Sequence, residues 1–304
     1  MSLPAPNSAL PQSLIKMILM GFTGTGKSTA IVPLAIPNII KDFVGYRIVV
    51  LDFDGKFQEV KDQNLRARLN RDLANKRRLT PISQSQFDAA YENIEVHVLR
   101  EKTKASLDGG ITIIGQPQAW KKTIEILERL RKDENANTIL VLDSWTHMAL
   151  TPLIAYCMAL QGKTLGEFGK AEYGTDYIEP QKLARNLLTV LADSRSHVIV
   201  CTHQEAQDIK KKTGEYDSKK RPIEEVVHSE MVPISVGAKG RIAIPSQFNH
   251  TLVAVAGVEG NRKISTVPED GVTTKSPFWA FADNSYSLND GLPRYFSLGN
   301  PANK

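Results

Sequence analysis

An eight-residue stretch from Gly21 to Ser28, GFTGTGKS, contains the residue types that cradle a phosphate group. It fits the pattern G-x-x-x-x-G-K-[ST], in which glycines allow successive backbone N–H groups to converge on phosphate oxygens. In this pattern the lysine contacts the β- and γ-phosphates, and the serine hydroxyl suits Mg²⁺, a hard cation that prefers oxygen ligands. The stretch therefore predicts binding of ATP with Mg²⁺; the alternative is a chance glycine-rich turn. The predicted contacts are Gly21, Phe22, Thr23, Gly24, Thr25, Gly26, Lys27, Ser28 and, at the α-phosphate, Thr29.

Two acidic residues follow apolar runs that are typical of buried strands. Asp143 closes the run TILVLD, and we predict that it joins Ser28 as a Mg²⁺ ligand, on a strand neighbouring the one before the glycine turn. Asp54 comes two residues after Asp52 at the end of RIVVLDFD. We predict that Asp54 orients and deprotonates the attacking water, from a strand beside the glycine turn. The alternatives are a helix cap for Asp143 and a turn cap for Asp54.

A third strand end carries polar side chains. The run HVIVCT is followed by His203 and Gln204, at a position where a side chain can sense the γ-phosphate. We predict this sensing role for Gln204, which would report hydrolysis to the loop that follows. The alternative is a polar strand end without a role. The predicted catalytic residues are therefore Asp54, Lys27 and Gln204.

Clustered cations form the last group of candidate residues. The loop after Gln204 carries two basic clusters that can neutralise nucleic-acid phosphates, although six acidic residues between 205 and 225 offset them and a solvated loop is the alternative. The predicted DNA-binding residues are Lys210, Lys211, Lys212, Lys219, Lys220 and Arg221. Four further cations border predicted strands, and in a ring or filament one of them can reach the γ-phosphate of a neighbouring subunit. These trans-acting candidates, for which ordinary surface charge is the alternative, are Lys239, Arg241, Arg262 and Lys263.

The composition predicts a globular protein without a membrane span or a zinc site. The 304 residues are 41% hydrophobic, and the net charge of +5 with a pI near 9.0 mildly favours an anionic partner. The longest apolar runs are far shorter than the roughly 20 residues that cross a bilayer, and no secretory signal begins the chain, so we expect a cytoplasmic protein. Two cysteines in apolar contexts indicate reduced core residues, and the six scattered histidines argue against a zinc site.

Buried strands alternate with helices along the chain, which predicts an α/β fold with a mostly parallel sheet. Strands are predicted at 14–20, 47–53, 94–99, 138–143, 197–202, 241–244, 251–258 and 263–267, and helices at 27–40, with interruptions at Pro33 and Pro37, 120–131 and 182–191. We divide the chain into a flexible arm (1–13), an ATPase domain (14–267) with a basic loop or hairpin inserted at about 205–232, and a β- and turn-rich extension packed on the core (268–304).

The order of these motifs resembles the RecA-like ATPase core. The segments GFTGTGKST, VVLDFD, ILVLDSWTHM and VIVCTHQ carry the resemblance. It implies a P-loop NTPase with a RecA-like sheet and a β-rich C-terminal part, and it implies that Asp54 is the catalytic base, Asp143 with Ser144 the Mg²⁺ pair and Gln204 the sensor. The segments YGTDYIEPQKLARNLL and VGAKGRIAIPSQFNHTLVA are similar to phage nucleotide-binding AAA-type ATPases, which include proteins of single-strand annealing.

The function expected from this resemblance is DNA-stimulated ATP hydrolysis coupled to single-stranded DNA. The protein would act in phage recombination, annealing or replication, as a ring or filament in the host cytoplasm. One alternative is a nucleotide-gated phage assembly or scaffold factor with little ATPase activity. A second is a helicase or DNA-packaging motor, although the chain has no downstream acidic nuclease cluster of the kind that packaging motors carry.

Overall fold

The fold is built on a central sheet whose strands are the apolar runs of the sequence. The computed structural model describes residues 14–70, 79–105, 111–133, 135–168, 175–216, 222–236, 244–256, 261–266, 274–276 and 285–298. Its strands are β1 (Lys16–Met20), β2 (Arg47–Asp52), β3 (Ile94–Val98), β4 (Thr103–Ala105), β5 (Ile111–Ile113), β6 (Thr138–Asp143), β7 (His197–Thr202), β8 (Gln204–Tyr216), β9 (Pro222–Pro233), β10 (His250–Ala256), β11 (Arg262–Ser265) and β12 (Ser285–Ser287).

Eight of these strands form one sheet in the order β12-β11-β10-β1-β7-β6-β2-β3. The six strands from β10 to β3 pair in parallel, and β11 and β12 add an antiparallel edge. Parallel strands place all their carboxyl ends at one edge, where open α/β sheets bind ligands. The predicted α/β fold, with a mostly parallel sheet and a β-rich C-terminal part, is confirmed.

Helices cover both faces of the sheet. They are α1 (Lys27–Ile31), α2 (Phe57–Leu69), α3 (Gln84–Asn93), α4 (Ala119–Leu130), α5 (Trp145–Leu150), α6 (Pro152–Leu160), α7 (Thr175–Asp193) and α8 (Gly291–Leu298). Successive strand residues point to opposite faces, so Met17 and Leu19 of β1 pack in one hydrophobic cluster and Ile18 and Met20 in the other. The first cluster includes side chains of α1, α2, α3 and α8, and the second includes those of α4 to α7. Burial on both faces explains why these strands are uniformly apolar.

Three predicted elements differ from the structure. The helix predicted at 27–40 ends at Ile31 and becomes a 3-10 turn over Val32–Ala35, because Pro33 lacks a backbone donor. The helix predicted at 182–191 is longer: α7 begins at Thr175 and contains Pro180. The strand predicted at 241–244 is wrong at Ile244, because residues 244–247 are helical and Pro245 suits a first helical turn; residues 241–243 lie outside the described part.

The sequence interpretation also missed α8 near the C-terminus. We expected the segment 268–304 to be β- and turn-rich, but its Gly291 and Pro293 are both tolerated in the first turn of a helix. Tertiary packing stabilises this helix, because Leu292, Tyr295 and Phe296 are almost fully buried against the sheet. The arm predicted at 1–13 falls outside the described residues.

Two further expectations concern cysteines and membranes. Cys157 and Cys201 are both buried and free, as expected of reduced core residues. Among the residues that the structure describes, no helix combines the length and the hydropathy that crossing a bilayer would require.

Candidate nucleotide-binding and hydrolysis site

The glycine turn lies at the carboxyl edge of the sheet, between β1 and α1. Gly26 adopts φ +91°, a conformation that L side chains rarely adopt, and a Cβ there would lie 2.5 Å from Leu288 Cδ1. A Cβ on Gly21 would lie 2.6 Å from the carbonyl oxygen of Ala254 on β10. Both ends of the turn therefore require glycine. The tight turn places the start of α1 directly above the end of β1, as a phosphate cradle needs.

Lys27 folds back over this turn. Its Nζ donates hydrogen bonds to the carbonyl oxygens of Gly21, at 2.8 Å, and Phe22, at 3.0 Å. Burial lowers the pKa of Lys27, while the charges of Cys201, Asp143 and Asp54 oppose that shift. The ammonium is thus held against the glycine turn, close enough to Asp143 and Asp54 for their charges to raise its pKa.

Ser28 and Asp143 are joined directly. Ser28 Oγ donates a 2.6 Å hydrogen bond to Asp143 Oδ2. Burial raises the pKa of Asp143 to about 6, despite the Ser28 hydrogen bond, and the charges of Asp54 and Asp52 add to the rise. A hydroxyl and a buried carboxylate at this distance fit the oxygen preference of Mg²⁺, whose charge would offset the burial of Asp143. The helix cap considered for Asp143 belongs instead to Ser144, whose side chain accepts from the backbone N–H of His147.

The order of the strands corrects one step of the sequence interpretation. We expected the strands of Asp143 and Asp54 to lie beside the strand before the glycine turn, and this is wrong. β7 separates β1 from β6, and β2 lies beyond β6. β2 and β6 do pair with each other, so that Asp52 and Asp143 are register partners. Because all four strands are parallel, their carboxyl ends still converge at one edge.

Asp52 and Asp54 have different environments despite their proximity in sequence. Asp52 is fully buried and accepts from the backbone N–H groups of Gly55, at 2.8 Å, and Phe57, at 2.9 Å. Its carboxylate therefore stabilises the turn into α2, the capping role that had been the alternative for Asp54. Asp54 instead contacts His147 Nδ1 and accepts from Ser144 Oγ at 3.2 Å.

The surroundings of Asp54 keep it ionised. Burial would raise the pKa of Asp54, but the hydrogen bond and charge of His147, with contributions from His203 and Ser144, outweigh burial and lower that pKa below its ordinary value. An ionised carboxylate at this edge can orient a water molecule and accept its proton.

Two histidines that the sequence interpretation did not assign complete this part of the site. His147 lies in the first turn of α5, and its ring meets the ring of His203 edge to face, with centroids 5.2 Å apart. Burial, with the charges of Lys27 and His147, lowers the pKa of His203 to about 4. Both residues follow strand ends within four positions, and that spacing is the only sequence signal for them.

Gln204, the predicted sensor, opens β8 directly after this cluster. It is buried, and its Oε1 has no hydrogen-bond partner within the described residues. No hydrogen bond joins it to Lys27, Asp54 or Asp143 in that part of the chain. The structure thus places Gln204 at the junction of the site and the segment that follows.

That segment is a β-hairpin, one of the two forms expected from the sequence. β8 and β9 pair in antiparallel fashion, with Lys211 opposite Glu225 and Lys212 opposite Glu224. Lys210 and Lys211 are exposed. Lys219, Lys220 and Arg221 lie outside the described residues.

Arg262 lies beside the cradle of its own chain. A Cβ built on Gly26 would lie 3.2 Å from Arg262 Cδ and 3.8 Å from Nη1. The side chain of Arg262 thus packs on the glycine turn of its own chain, and the trans-acting role expected of it stays a prediction. Lys263 points to the opposite face of β11, as successive strand residues do. Lys239 and Arg241 are outside the part that the structure describes.

Comparison with known families agrees with this geometry. No curated protein matches the chain at a significant level. A family model described as an AAA domain matches residues 13–278, a range that contains the glycine turn, Asp54, Asp143 and the hairpin. Because the match covers most of the chain, this protein belongs to the AAA domain family of nucleotide-binding ATPases.

Proposed function

We propose that this chain binds ATP with Mg²⁺ at residues 21–29, hydrolyses it, and uses the nucleotide state to control the grip of the β8–β9 hairpin on single-stranded DNA. The observation that carries the proposal is continuity of the chain. β7 ends beside Asp54 and His147, and the next residues, His203 and Gln204, lead directly into the hairpin.

The nucleotide half of the proposal rests on groups gathered at one edge of the sheet. Mg²⁺ held by Ser28 and Asp143 would supply positive charge to the phosphates. Lys27 would contribute a second cation, and Asp54 would orient the attacking water and take its proton. Asp54 is suited to that role because it is ionised and because Ser144 and His147 fix its direction.

The coupling half rests on how the hairpin is anchored. Thr146 Oγ1 accepts a 2.9 Å hydrogen bond from the backbone N–H of His203, and the carbonyl of His203 accepts one from Ile234, also at 2.9 Å. These bonds tie both ends of the hairpin to the helix that carries His147. A shift of His147 or His203 on hydrolysis would therefore be transmitted to both strands.

The charge pattern of the hairpin supports weak, salt-sensitive binding of single-stranded DNA. At about 3.3 Å per residue, β8 extends roughly 40 Å, long enough to follow several nucleotides. Lys210 and Lys211 are exposed on it, while Glu224 and Glu225 on β9 reduce the local potential. We expect binding that is lost at moderate salt, because exposed phosphate contacts are screened.

Reversing the charge of the hairpin lysines tests the DNA role. We expect the double variant Lys210→Glu, Lys211→Glu to lose stimulation of ATP turnover by single-stranded DNA. The slope of log affinity against log salt should fall by about 1.4, since each lost contact with a single strand contributes about 0.7. Turnover without DNA should stay unchanged, because neither lysine contacts the cradle.

The matched control is Lys121→Glu, Lys122→Glu, which reverses two adjacent exposed lysines on α4. DNA affinity should survive in the control. If both double variants lost DNA affinity equally, DNA binding would reflect the overall charge of the protein and not the hairpin. A parent protein that shows neither stimulation nor retention of DNA at low salt would exclude it, while leaving the ATPase assignment intact.

The place of Arg262 predicts action on the nucleotide of its own subunit. Arg262→Ala should weaken ATP binding about tenfold, because a charge-assisted contact contributes roughly 1.5 kcal/mol. Lys263→Ala, on the opposite face of β11, should leave the affinity unchanged. Titration with a fluorescent ATP analogue measures both.

Mixing variants separates this cis role from a trans role. A Lys27→Ala subunit retains Arg262, and an Arg262→Ala subunit retains the cradle. If Arg262 acts in cis, the mixture hydrolyses no more ATP than the two variants alone. Recovery of turnover on mixing would instead establish self-association with Arg262 acting across the subunit boundary.

A further inference from the structure

We propose that Asp54, His147 and His203 form a second cation site, which takes a transition-metal dication such as Zn²⁺. One donor atom from each of these side chains lies within 4.8 Å of the other two. The three residues come from the end of β2, the first turn of α5 and the end of β7. Three separate elements thus deliver three metal-binding side chains to one point, and the site does not require nucleotide.

The donor set selects the class of metal. Two imidazole nitrogens and one carboxylate oxygen suit first-row transition metals, whereas Mg²⁺ prefers oxygen donors alone. The Ser28–Asp143 pair is such an oxygen site, so the two sites differ in the ion they favour. Three protein ligands leave a coordination position for water or for a phosphate oxygen.

The geometry requires only small side-chain shifts, since Asp54 Oδ1 and His147 Nδ1 already contact each other and all three donor atoms lie within 4.8 Å of one another. Metal–ligand bonds of about 2.1 Å in a tetrahedral site hold the donor atoms roughly 3.4 Å apart, so displacements of those atoms of the order of 1 Å suffice. His147 is exposed, and Asp54 and His203 are partly exposed. An ion can therefore enter from solvent without displacing the core.

Neighbouring groups already position the three ligands. Ser144 Oγ lies 2.9 Å from His147 Nδ1 and 3.2 Å from Asp54 Oδ1. The backbone of His203 is held on both sides, by Thr146 Oγ1 and by the N–H of Ile234. Groups of this kind orient metal ligands and strengthen binding.

A Co²⁺ titration of the nucleotide-free full chain, at neutral pH and with excess Mg²⁺, tests the proposal. We expect visible d–d absorption that saturates at one Co²⁺ per chain and is reversed by Zn²⁺. His147→Gln, His203→Gln and Asp54→Asn should each weaken Co²⁺ binding by at least about tenfold. Ser28→Ala should bind Co²⁺ like the parent, which separates this site from the Mg²⁺ site of the proposed function.

His97→Gln is the matched control, because His97 also lies beside a carboxylate, Glu95 at 2.8 Å, yet belongs to no cluster of three metal-binding groups within the described residues. It should bind Co²⁺ normally. Circular dichroism melts check that each variant folds, and His147→Asn and His203→Asn replace any variant that does not. Absent Co²⁺ absorption in the parent, or equal weakening by His97→Gln, would overturn the proposal.

Discussion

Replacing Lys27 with alanine is expected to weaken ATP binding by about 100-fold and to abolish turnover. The Lys27 ammonium is the one cation that the described chain holds by hydrogen bonds to the glycine turn itself, at the carbonyl oxygens of Gly21 and Phe22. A hydrogen bond to a charged group contributes about 1.5–3 kcal/mol, and 3 kcal/mol corresponds to roughly 150-fold in affinity. Calorimetric titration with ATP and Mg²⁺ measures the loss.

Lys61→Ala is the matched control for this substitution. Lys61 is also buried, its Nζ also donates to a backbone carbonyl, that of Ile94 at 2.8 Å, and burial also lowers its pKa. It stabilises the packing of α2 against β3, away from the cradle. We expect Lys61→Ala to lower the denaturation midpoint and to leave ATP affinity unchanged. If a folded Lys27→Ala variant kept the parent's ATP affinity, the cradle would not be the nucleotide site.

The parts of the site that the sequence predicts are those encoded locally. The conformation of the glycine turn depends on eight consecutive residues, and Gly26 with its positive φ could be predicted from them. The Ser28–Asp143 contact follows from one general rule, that parallel strands end at the same edge. Neither inference requires knowledge of which strands are neighbours.

The parts that the sequence does not predict depend on contacts between distant segments. Strand order is one, because β7 pairs between β1 and β6 although it follows both in the chain. Arg262 is another, since its contact with Gly26 requires β10 and β11 to pack beside β1. His147 and His203 belong to the same class, because each is an ordinary polar residue until β2, β6 and β7 bring it to Asp54. Contacts between segments far apart in the chain leave no periodic pattern in a single sequence.

Replacing Asp54 with asparagine is expected to reduce the turnover number by about 10²–10⁴-fold while ATP affinity is retained. Asparagine keeps an oxygen that can accept from Ser144, but it cannot take a proton from water. Asp54 makes no hydrogen bond to the glycine turn among the described residues, so binding should survive. Single-turnover measurements with bound ATP separate the chemical step from binding.

Asp52→Asn is expected to lower stability and to keep turnover, the reverse of Asp54→Asn. The reason is that Asp52 is fully buried and accepts two backbone hydrogen bonds. Replacing one carboxylate oxygen by an amide leaves at least one of the N–H groups of Gly55 and Phe57 without its acceptor. Such a loss costs about 1–3 kcal/mol of stability. We expect a lower urea midpoint with near-parent turnover per folded molecule. If Asp52→Asn lost turnover and Asp54→Asn lost only stability, Asp52 would be the proton acceptor. If the two variants had equal turnover, the base would lie outside this strand end.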